Sequence, residues 1–273
     1  MDNDDRQIGR ILTRREVLAA LGAAGTGMLL ARVPGHAAVS SSAVSSSTVS
    51  SSTVSSSTVS HRAFAGAHAV PACVVRPAQT EGPYFVDEKL NRADIRADPA
   101  TGLVKDGTPL DLEMRVFRIG AGSCEPLPGA MVDIWQCDAL GVYSGVRDTN
   151  GLFDTAGQKF LRGYQNTDAS GVARFTTVYP GWYRGRTVHI HFKIRTDGGA
   201  ARGREFTSQL YFDDVMTDQV LARAPYASQG TTGRIRNERD GIYQRQGGPQ
   251  LMLALAERGA GYQGTFDIGL DLG

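Results

Sequence analysis

The stretch FTTVYPGWYRGRTVHIHFKI, residues 175–194, carries the alternation on which the fold prediction depends. β-branched and aromatic residues alternate with polar ones at both ends of this stretch, and a proline and two glycines lie between the ends. Alternation with a period of two is typical of β-strands, and glycine and proline mark the turns that join them. The stretch therefore predicts two short strands connected by a turn-rich loop.

Similar runs recur along the chain from Pro71 onward. They occupy residues 110–119, 131–135, 172–178, 187–194, 206–212 and 264–270. Only residues 219–224 and 250–258 show a helical pattern. Many short strands without regular helical spacing favour a sandwich or a barrel. We therefore predict an all-β fold, a β-sandwich of mostly antiparallel strands with long active-site loops and few short helices.

The composition is ordinary for a soluble globular protein. Of the 273 residues, 41% are hydrophobic and 21% are charged, and the formal net charge is +1. This balance predicts no nucleic-acid or membrane-surface partner. The sequence does not determine the oligomeric state, so an oligomer is left open.

The chain has three cysteines, Cys73, Cys124 and Cys137, and none of them forms a CxxC pair. They are too few for a disulfide scaffold, and zinc-ribbon or thioredoxin-like interpretations have no support. In an exported protein we expect one disulfide and one free thiol, and the sequence leaves open which two cysteines pair.

Residues 1–38 are interpreted as a twin-arginine signal peptide. The segment TRREVL, residues 13–18, is followed by an apolar stretch that is too short for a membrane span, and cleavage after Ala37 fits the small residues there. The alternative is an ordinary amphipathic N-terminal helix. The signal predicts export to the periplasm, the cell surface or the medium, without a stable membrane span after cleavage.

Residues 39–69 are interpreted as a flexible linker. The unit Ser-Ser-Ser-Thr-Val repeats within residues 40–59, and this composition cannot bury a core. A β-solenoid is the alternative for a short repeat, but there are few copies and valine is their only core residue. The folded domain is predicted to occupy residues 70–273.

Two histidines in the predicted domain stand two residues apart. His189 and His191 lie in VHIHF, residues 188–192, and the other three histidines precede the domain. Side chains at i and i+2 of a strand point to the same face, as two ligands of one metal ion must. A pair of structural histidines is the alternative. Further ligands would have to be carboxylates, thiolates or phenolates. Tyr143 and Tyr183 stand in loops suited to such a role. The alternative is that each tyrosine packs at the edge of the core.

The combination of motifs resembles the intradiol ring-cleavage dioxygenases, the family of catechol and protocatechuate dioxygenases. The matching stretches stand in family order as TEGPYFVD, PLPGAMVDIWQCDALGVYSG, FTTVYPGWYRGRTVHIHFKI and TSQLYFDD, at residues 80–87, 126–145, 175–194 and 207–214. Only five residues separate Tyr183 from His189, which resembles shorter, secreted bacterial members.

The resemblance implies one ferric ion, Fe(3+), per chain, held by two phenolates and two imidazoles. Carried over by motif, the metal ligands are Tyr143, Tyr183, His189 and His191. The implied reaction opens a catechol with O2, between its two hydroxyl-bearing carbons, to a muconate-type diacid.

Three further residues receive roles from the same resemblance, and Tyr183 receives a second one. Tyr183 is implied as both a ligand and the base for the substrate protons, Arg186 as the group that stabilises negative charge on the substrate, and Gln209 as a residue near the substrate. Tyr84 is implied to line the pocket. The alternatives are a surface arginine for Arg186 and a packing tyrosine for Tyr84.

Two other functions remain open at this point. A secreted, non-catalytic β-sandwich binding module would bind no metal. A different metalloenzyme, such as a copper or zinc protein, would use the two histidines with a carboxylate.

Overall fold

The computed structural model describes residues 74–120, 123–148, 150–196 and 203–272. The predicted signal and linker lie outside the described residues. No helix within these ranges is both long and apolar enough to cross a membrane.

The described residues form nine strands and two α-helices. The strands are β1 Pro109–Gly120, β2 Ser123–Pro126, β3 Met131–Trp135, β4 Arg162–Asn166, β5 Val172–Val178, β6 His189–Thr196, β7 Arg204–Tyr211, β8 Ala254–Arg258 and β9 Gly261–Asp271. The helices are α1 Asp214–Leu221 and α2 Gly241–Arg245, and the 3-10 turns are Tyr226–Ser228, Asn237–Arg239 and Gly248–Leu251.

The strands form two sheets that pack face to face. In the first sheet, β1 pairs with β2 and β5 along one side and with β9 along the other, and β8 flanks β9. The second sheet has the order β4-β3-β6-β7 and is antiparallel throughout. Only the β1–β9 pairing is parallel among these strands. The predicted sandwich of mostly antiparallel strands is confirmed.

The core lies between the two sheets because each strand buries alternate residues. The alternating residues predicted on β1 are all buried, namely Leu110, Leu112, Met114 and Val116. From the second sheet, Phe192 on β6 contacts Phe266 on β9, with ring centroids 5.7 Å apart. Ile190 and Ile194 point the same way as Phe192, so the residues between them on β6 face away from the core.

A segment comprising residues 79–87, here named the covering segment, lies over the outer face of the second sheet. The backbone N–H of Gln79 donates to the carbonyl of Thr207 (3.0 Å), and Gln209 Nε2 donates to the carbonyl of Thr80 (3.0 Å). Lys193 on β6 forms ion pairs with Glu81 and with Glu205 on β7. Polar side chains on the outer face of β6 are therefore buried.

Most predicted strands match the structure closely. The strands predicted at residues 131–135 and 172–178 coincide with β3 and β5, and the others differ by a few residues at their ends. The short strands β2, β4 and β8 are absent from the sequence prediction.

The two predicted helices fit less well. The helix expected at residues 219–224 begins earlier, at Asp214, because the Asp213 carboxylate accepts hydrogen bonds from the backbone N–H groups of Val215 and Met216. The helix predicted at residues 250–258 is wrong. Much of it is strand β8, because pairing with β9 outweighs the helical propensity of that segment.

Candidate metal centre

The four predicted ligands meet on the outer face of the second sheet, beneath the covering segment. His189 and His191 begin β6, Tyr183 lies in the loop before it, and Tyr143 lies in the loop after β3. The Nε2 atoms of the two histidines are 3.0 Å apart, and Tyr183 Oη lies 3.2 Å from His189 Nε2. The Tyr143 ring centroid lies 5.5 Å from that of Tyr183 and 6.3 Å from that of His191.

The two loops that carry the tyrosines pack directly against each other. The Asp138 carboxylate accepts hydrogen bonds from the N–H groups of Leu140 and Val142, which fixes the turn before Tyr143. Gly141 in this turn has φ +81°, and a Cβ there would lie 2.3 Å from the carbonyl oxygen of Trp182. Only glycine permits this approach, which brings the loop before Tyr183 beside the loop before Tyr143.

Burial keeps all four side chains neutral in the metal-free protein. Removal from water raises the pKa of Tyr143 and of Tyr183, and it lowers the pKa of His189 and of His191 far below the ordinary value. Neighbouring groups shift these pKa values further in the same direction. Tyr183 raises the pKa of Tyr143, and Arg186 lowers the pKa of His189. A bound cation would reverse the effect on the phenols, since it favours their charged form.

The donor atoms fit a metal ion. Tyr143 Oη is buried without a hydrogen-bond partner among the described residues, whereas buried polar groups are normally paired. His189 Nδ1 lies 2.6 Å from the carbonyl of Thr187, a contact that leaves the Nε2 lone pair directed into the site. Metal–nitrogen bonds of about 2.1 Å place adjacent ligands about 3 Å apart, which agrees with the observed separation of the histidines.

Carboxylates and thiols do not complete this site. No group of three or more His, Cys, Asp or Glu side chains within the described ranges could hold a metal ion. The groups beside the two histidines are phenols, and phenolate oxygen is a hard donor that favours a hard cation.

Arg186 and Gln209 lie together beside the histidines. Arg186 Nη2 donates to Gln209 Oε1 (2.6 Å), and Nη1 lies 3.5 Å from His189 Nε2. Arg186 Nε donates to a carboxylate oxygen of Asp240 (2.8 Å). The Arg186 side chain is only 14% exposed, so it is not a surface arginine.

Comparison with known proteins identifies the family of the chain. The family model described as "Dioxygenase" matches residues 80–271. The solved structure of an intradiol ring-cleavage dioxygenase from Tetranychus urticae superposes with a TM-score of 0.62 and 29% identity, over 73% of this chain and 95% of that chain. The chain belongs to the intradiol ring-cleavage dioxygenase family.

Two bacterial dioxygenases are also similar to this chain. The dioxygenase domain of a dioxygenase–carbohydrate-binding fusion from Streptomyces sp. SirexAA-E has a TM-score of 0.51 and 31% identity, over 73% of this chain and all (100%) of that chain. A chlorocatechol 1,2-dioxygenase of Pseudomonas putida is 27% identical over 153 residues, which are 49% of this chain and 52% of that protein. The chain spans only about half the length of the chlorocatechol dioxygenases it matches.

The covering segment places Tyr84 and Gly82 against the candidate ligands of this intradiol family member. The ring of Tyr84 lies 4.7 Å from that of Tyr143 and 6.1 Å from that of Tyr183, and its hydroxyl donates to Asp148 (2.5 Å). Gly82 has φ +75°, and a Cβ there would lie 3.2 Å from His191 Cε1. Tyr84 therefore packs within the ligand cluster.

Sequence reasoning missed several residues of the site. Asp240, Asp148 and Gly82 are absent from the predicted set, although each touches a predicted residue. Asp240 lies far along the chain from Arg186, and the only signal it offers is that of a helix N-cap.

Neither of the two cysteines in the described residues supplies a donor atom to this site. Cys137 is a buried free thiol, and burial raises its pKa, so it is not poised as a nucleophile. Cys124 is disulfide-bonded, which agrees with the expectation of one disulfide and one free thiol. Cys73 lies outside the described residues.

Proposed function

We propose that the protein is a non-haem Fe(III) intradiol dioxygenase. It cleaves a catecholic ring between the two hydroxyl-bearing carbons with O2 and yields a muconate-type diacid. The convergence of two phenols and two imidazoles on one point carries this proposal. Tyr143, Tyr183, His189 and His191 would hold one ferric ion per chain, and the bound ion supplies Lewis-acid chemistry toward the catechol oxygens.

Tyr183 is suited to move a proton. It lies at the edge of the aromatic cluster and is partly buried, whereas Tyr143 is fully buried (0% exposed). As a phenolate held by the proposed ion, Tyr183 Oη would be the oxygen that can turn toward a substrate hydroxyl and accept its proton, while Tyr143 would stay in place. A proton acceptor must lie within hydrogen-bonding reach of the proton it takes.

Arg186 and Tyr84 are assigned to the substrate. The guanidinium of Arg186 lies beside His189 and stabilises negative charge on the deprotonated catechol. Gln209 accepts a hydrogen bond from that guanidinium and keeps it directed at the site. The aromatic ring of Tyr84 packs against that of Tyr143. An aromatic substrate could pack against the ring of Tyr84 in the same way.

We propose that the substrates are catechols that the protein encounters outside the cytoplasm. The similar proteins include chlorocatechol, catechol and protocatechuate dioxygenases. The twin-arginine segment at residues 13–18 supports export before the substrate is met. Incubation with catechol, chlorocatechol, protocatechuate and hydroxyquinol, followed by product identification, distinguishes these substrates.

The colour of the purified protein tests the metal assignment. We expect a reddish protein that contains iron, because phenolate ligands transfer charge to ferric iron, and we expect the visible band to shift when catechol is added. A colourless, iron-free protein would support the non-catalytic module. Bound metal without this colour would support a different metalloenzyme.

Two substitutions test the ligands directly. Tyr183→Phe should abolish ring cleavage, and His191→Ala should abolish it with loss of iron, because each removes a donor that no neighbour replaces. Tyr164→Phe, on strand β4 of the same sheet, is the matched control and should keep full activity. Full activity of His191→Ala would refute the assignment of the ligands.

A further inference from the structure

Asp240 is a fully buried carboxylate (0% exposed) that joins helix α2 to the loop before β6. Its Oδ1 accepts hydrogen bonds from the backbone N–H groups of Ile242 (2.8 Å) and Tyr243 (2.9 Å). Its Oδ2 accepts from the N–H of Thr187 (2.8 Å) and from Arg186 Nε (2.8 Å). Both oxygens are thus held by donors from two separate segments of the chain.

Contacts on several sides determine the orientation of the Arg186 guanidinium. Asp240 holds Nε, and Nη2 contacts Gln209 Oε1 (2.6 Å) and Tyr211 Oη (3.4 Å). The remaining nitrogen, Nη1, lies 3.5 Å from His189 Nε2 and is the one nearest the ligand cluster. A guanidinium is planar, so fixing Nε and Nη2 also fixes the direction of Nη1.

Arg186 and Asp240 form a charged pair although both side chains are buried. Burial opposes the charge on Arg186, whose side chain is only 14% exposed, and the Asp240 carboxylate 2.8 Å away compensates that charge. Burial likewise opposes the charge on Asp240, but Arg186 and the backbone donors lower its pKa. A buried arginine without a partner would be costly, and it would turn toward water or toward another acceptor.

We propose that Asp240 is a positioning residue that aims the guanidinium of Arg186 at the catechol oxygens and compensates the cost of burying its charge. This proposal rests on the proposed ring-cleavage function and adds to the motif-derived site a residue from a distant part of the chain. The side-chain contacts of Asp240 are with Ile242, Tyr243, Thr187 and Arg186 and include none of the candidate ligands, so its effect is transmitted through Arg186.

The competing explanation is that Asp240 only caps helix α2. Asp213 provides a matched control, because its carboxylate caps helix α1 through the N–H groups of Val215 (2.9 Å) and Met216 (3.0 Å). Asparagine and serine are both good N-caps. Asp240→Asn and Asp240→Ser therefore each retain a capping group and remove the negative charge that faces Arg186.

The test is a double-mutant cycle on the iron-loaded full chain with catechol as substrate. The variants are Asp240→Asn, Asp240→Ser, Arg186→Gln, the double variant Asp240→Asn/Arg186→Gln, and Asp213→Asn. Iron content, the visible phenolate band, the thermal midpoint and kcat are measured for each. A crystal structure of metal-free Asp240→Asn reports the position of the Arg186 side chain.

We expect both Asp240 variants to retain iron and colour and to lose about 10- to 100-fold in kcat, as is typical when the partner of a functional side chain is removed. The double variant should be no slower than Arg186→Gln alone, because two residues that act through one group are not additive. Asp213→Asn should keep the wild-type rate, and the guanidinium should be displaced in the crystal structure.

Four results would overturn the proposal. They are a wild-type kcat in both Asp240 variants, losses that add in the double variant, an unmoved Arg186, and loss of iron or of the folded state in both Asp240 variants. A wild-type protein that cleaves no catechol would refute the proposed function itself, and the wild-type measurement identifies that case before any variant is compared.

Discussion

Tyr143 Oη and His191 Nδ1 are buried atoms that have no hydrogen-bond partner among the described residues. Leaving such a group unpaired costs about 1–3 kcal/mol. For Tyr143, coordination would offset this cost, because the phenolic oxygen would become a ligand. The indole of Trp135 stacks on the imidazole of His191, with ring centroids 5.0 Å apart, and holds that imidazole in place. The unpaired oxygen of Tyr143 therefore supports the proposed metal site.

Gly82→Ala is predicted to weaken iron binding. The new Cβ would lie 3.2 Å from His191 Cε1 and 3.8 Å from its Nε2, so the imidazole would have to shift away from its ligand position. We expect about tenfold weaker iron binding, measured by metal titration.

Gly102→Ala is the control for this change. Gly102 has a similar φ of +71°, and an added Cβ there meets no described atom within 4 Å. The two variants share the backbone strain of a positive φ but not the contact with the imidazole. Equal iron affinity in both variants would contradict the prediction.

Strand β6 shows how one element serves both the core and the site. Ile190, Phe192 and Ile194 belong to the core, and the alternate residues His189, His191 and Lys193 face the covering segment. Lys193 is nearly buried, with its side chain 6% exposed, and its ammonium lies 4.4 Å from the ring centroid of Phe85. Lys193 therefore attaches β6 to the covering segment through Glu81, as Arg195 does through Asp87 (3.3 Å).

Lys193→Met is predicted to loosen the covering segment. The change removes the ion pairs with Glu81 and Glu205 but keeps the aliphatic part of the side chain. We expect a local loss of about 1–2 kcal/mol, which is a factor of about 5–30 in amide hydrogen exchange at residues 79–87.

Arg174→Met is the matched control for Lys193→Met. Arg174 also pairs with two carboxylates, those of Glu113 and Asp168, but its side chain is 59% exposed. Exposed pairs contribute little to stability. Unchanged exchange in the covering segment of Lys193→Met would refute the role of Lys193.

Elements with strong local patterns could be predicted from the sequence, and those that depend on a partner could not. β3 and β5 coincide with predicted strands because their apolar alternation is itself the cause of burial. β8 was missed because its residues are mostly exposed and pairing with β9 alone makes them a strand.

The residues of the candidate site also fall into those that a local pattern predicts and those that depend on contacts with distant segments. Motifs located Tyr84, Arg186, Gln209 and the four candidate ligands, and the structure brings all of them together. Asp240 carries no comparable signal, since its contact with Arg186 arises only when distant segments meet in the fold. The roles of all these residues remain predictions.

Removal of iron is predicted to lower the thermal stability of the entire domain. An ion that binds only the folded chain stabilises it by about 4 kcal/mol when its free concentration is a thousand times Kd. For a domain of this size that corresponds to roughly 10 °C in Tm. Calorimetry of iron-loaded and chelated protein measures the difference.

His191→Ala is the internal control for this measurement. Its Tm should be the same with and without iron, because it lacks a ligand imidazole. If the wild-type protein also melts at one temperature in both states, the ion does not contribute to its folding free energy.

The position of β9 within the first sheet has a consequence for biosynthesis. This strand lies between β1 and β8 and runs parallel to β1, so the two strands that pair most extensively come from distant parts of the chain. While the chain is still being translated, β1 lacks its partner strand β9. The first sheet therefore stays incomplete until residues 261–271 have emerged from the ribosome. A nascent chain stalled before that point would expose the edge of β1 to chaperones and to other unfinished chains.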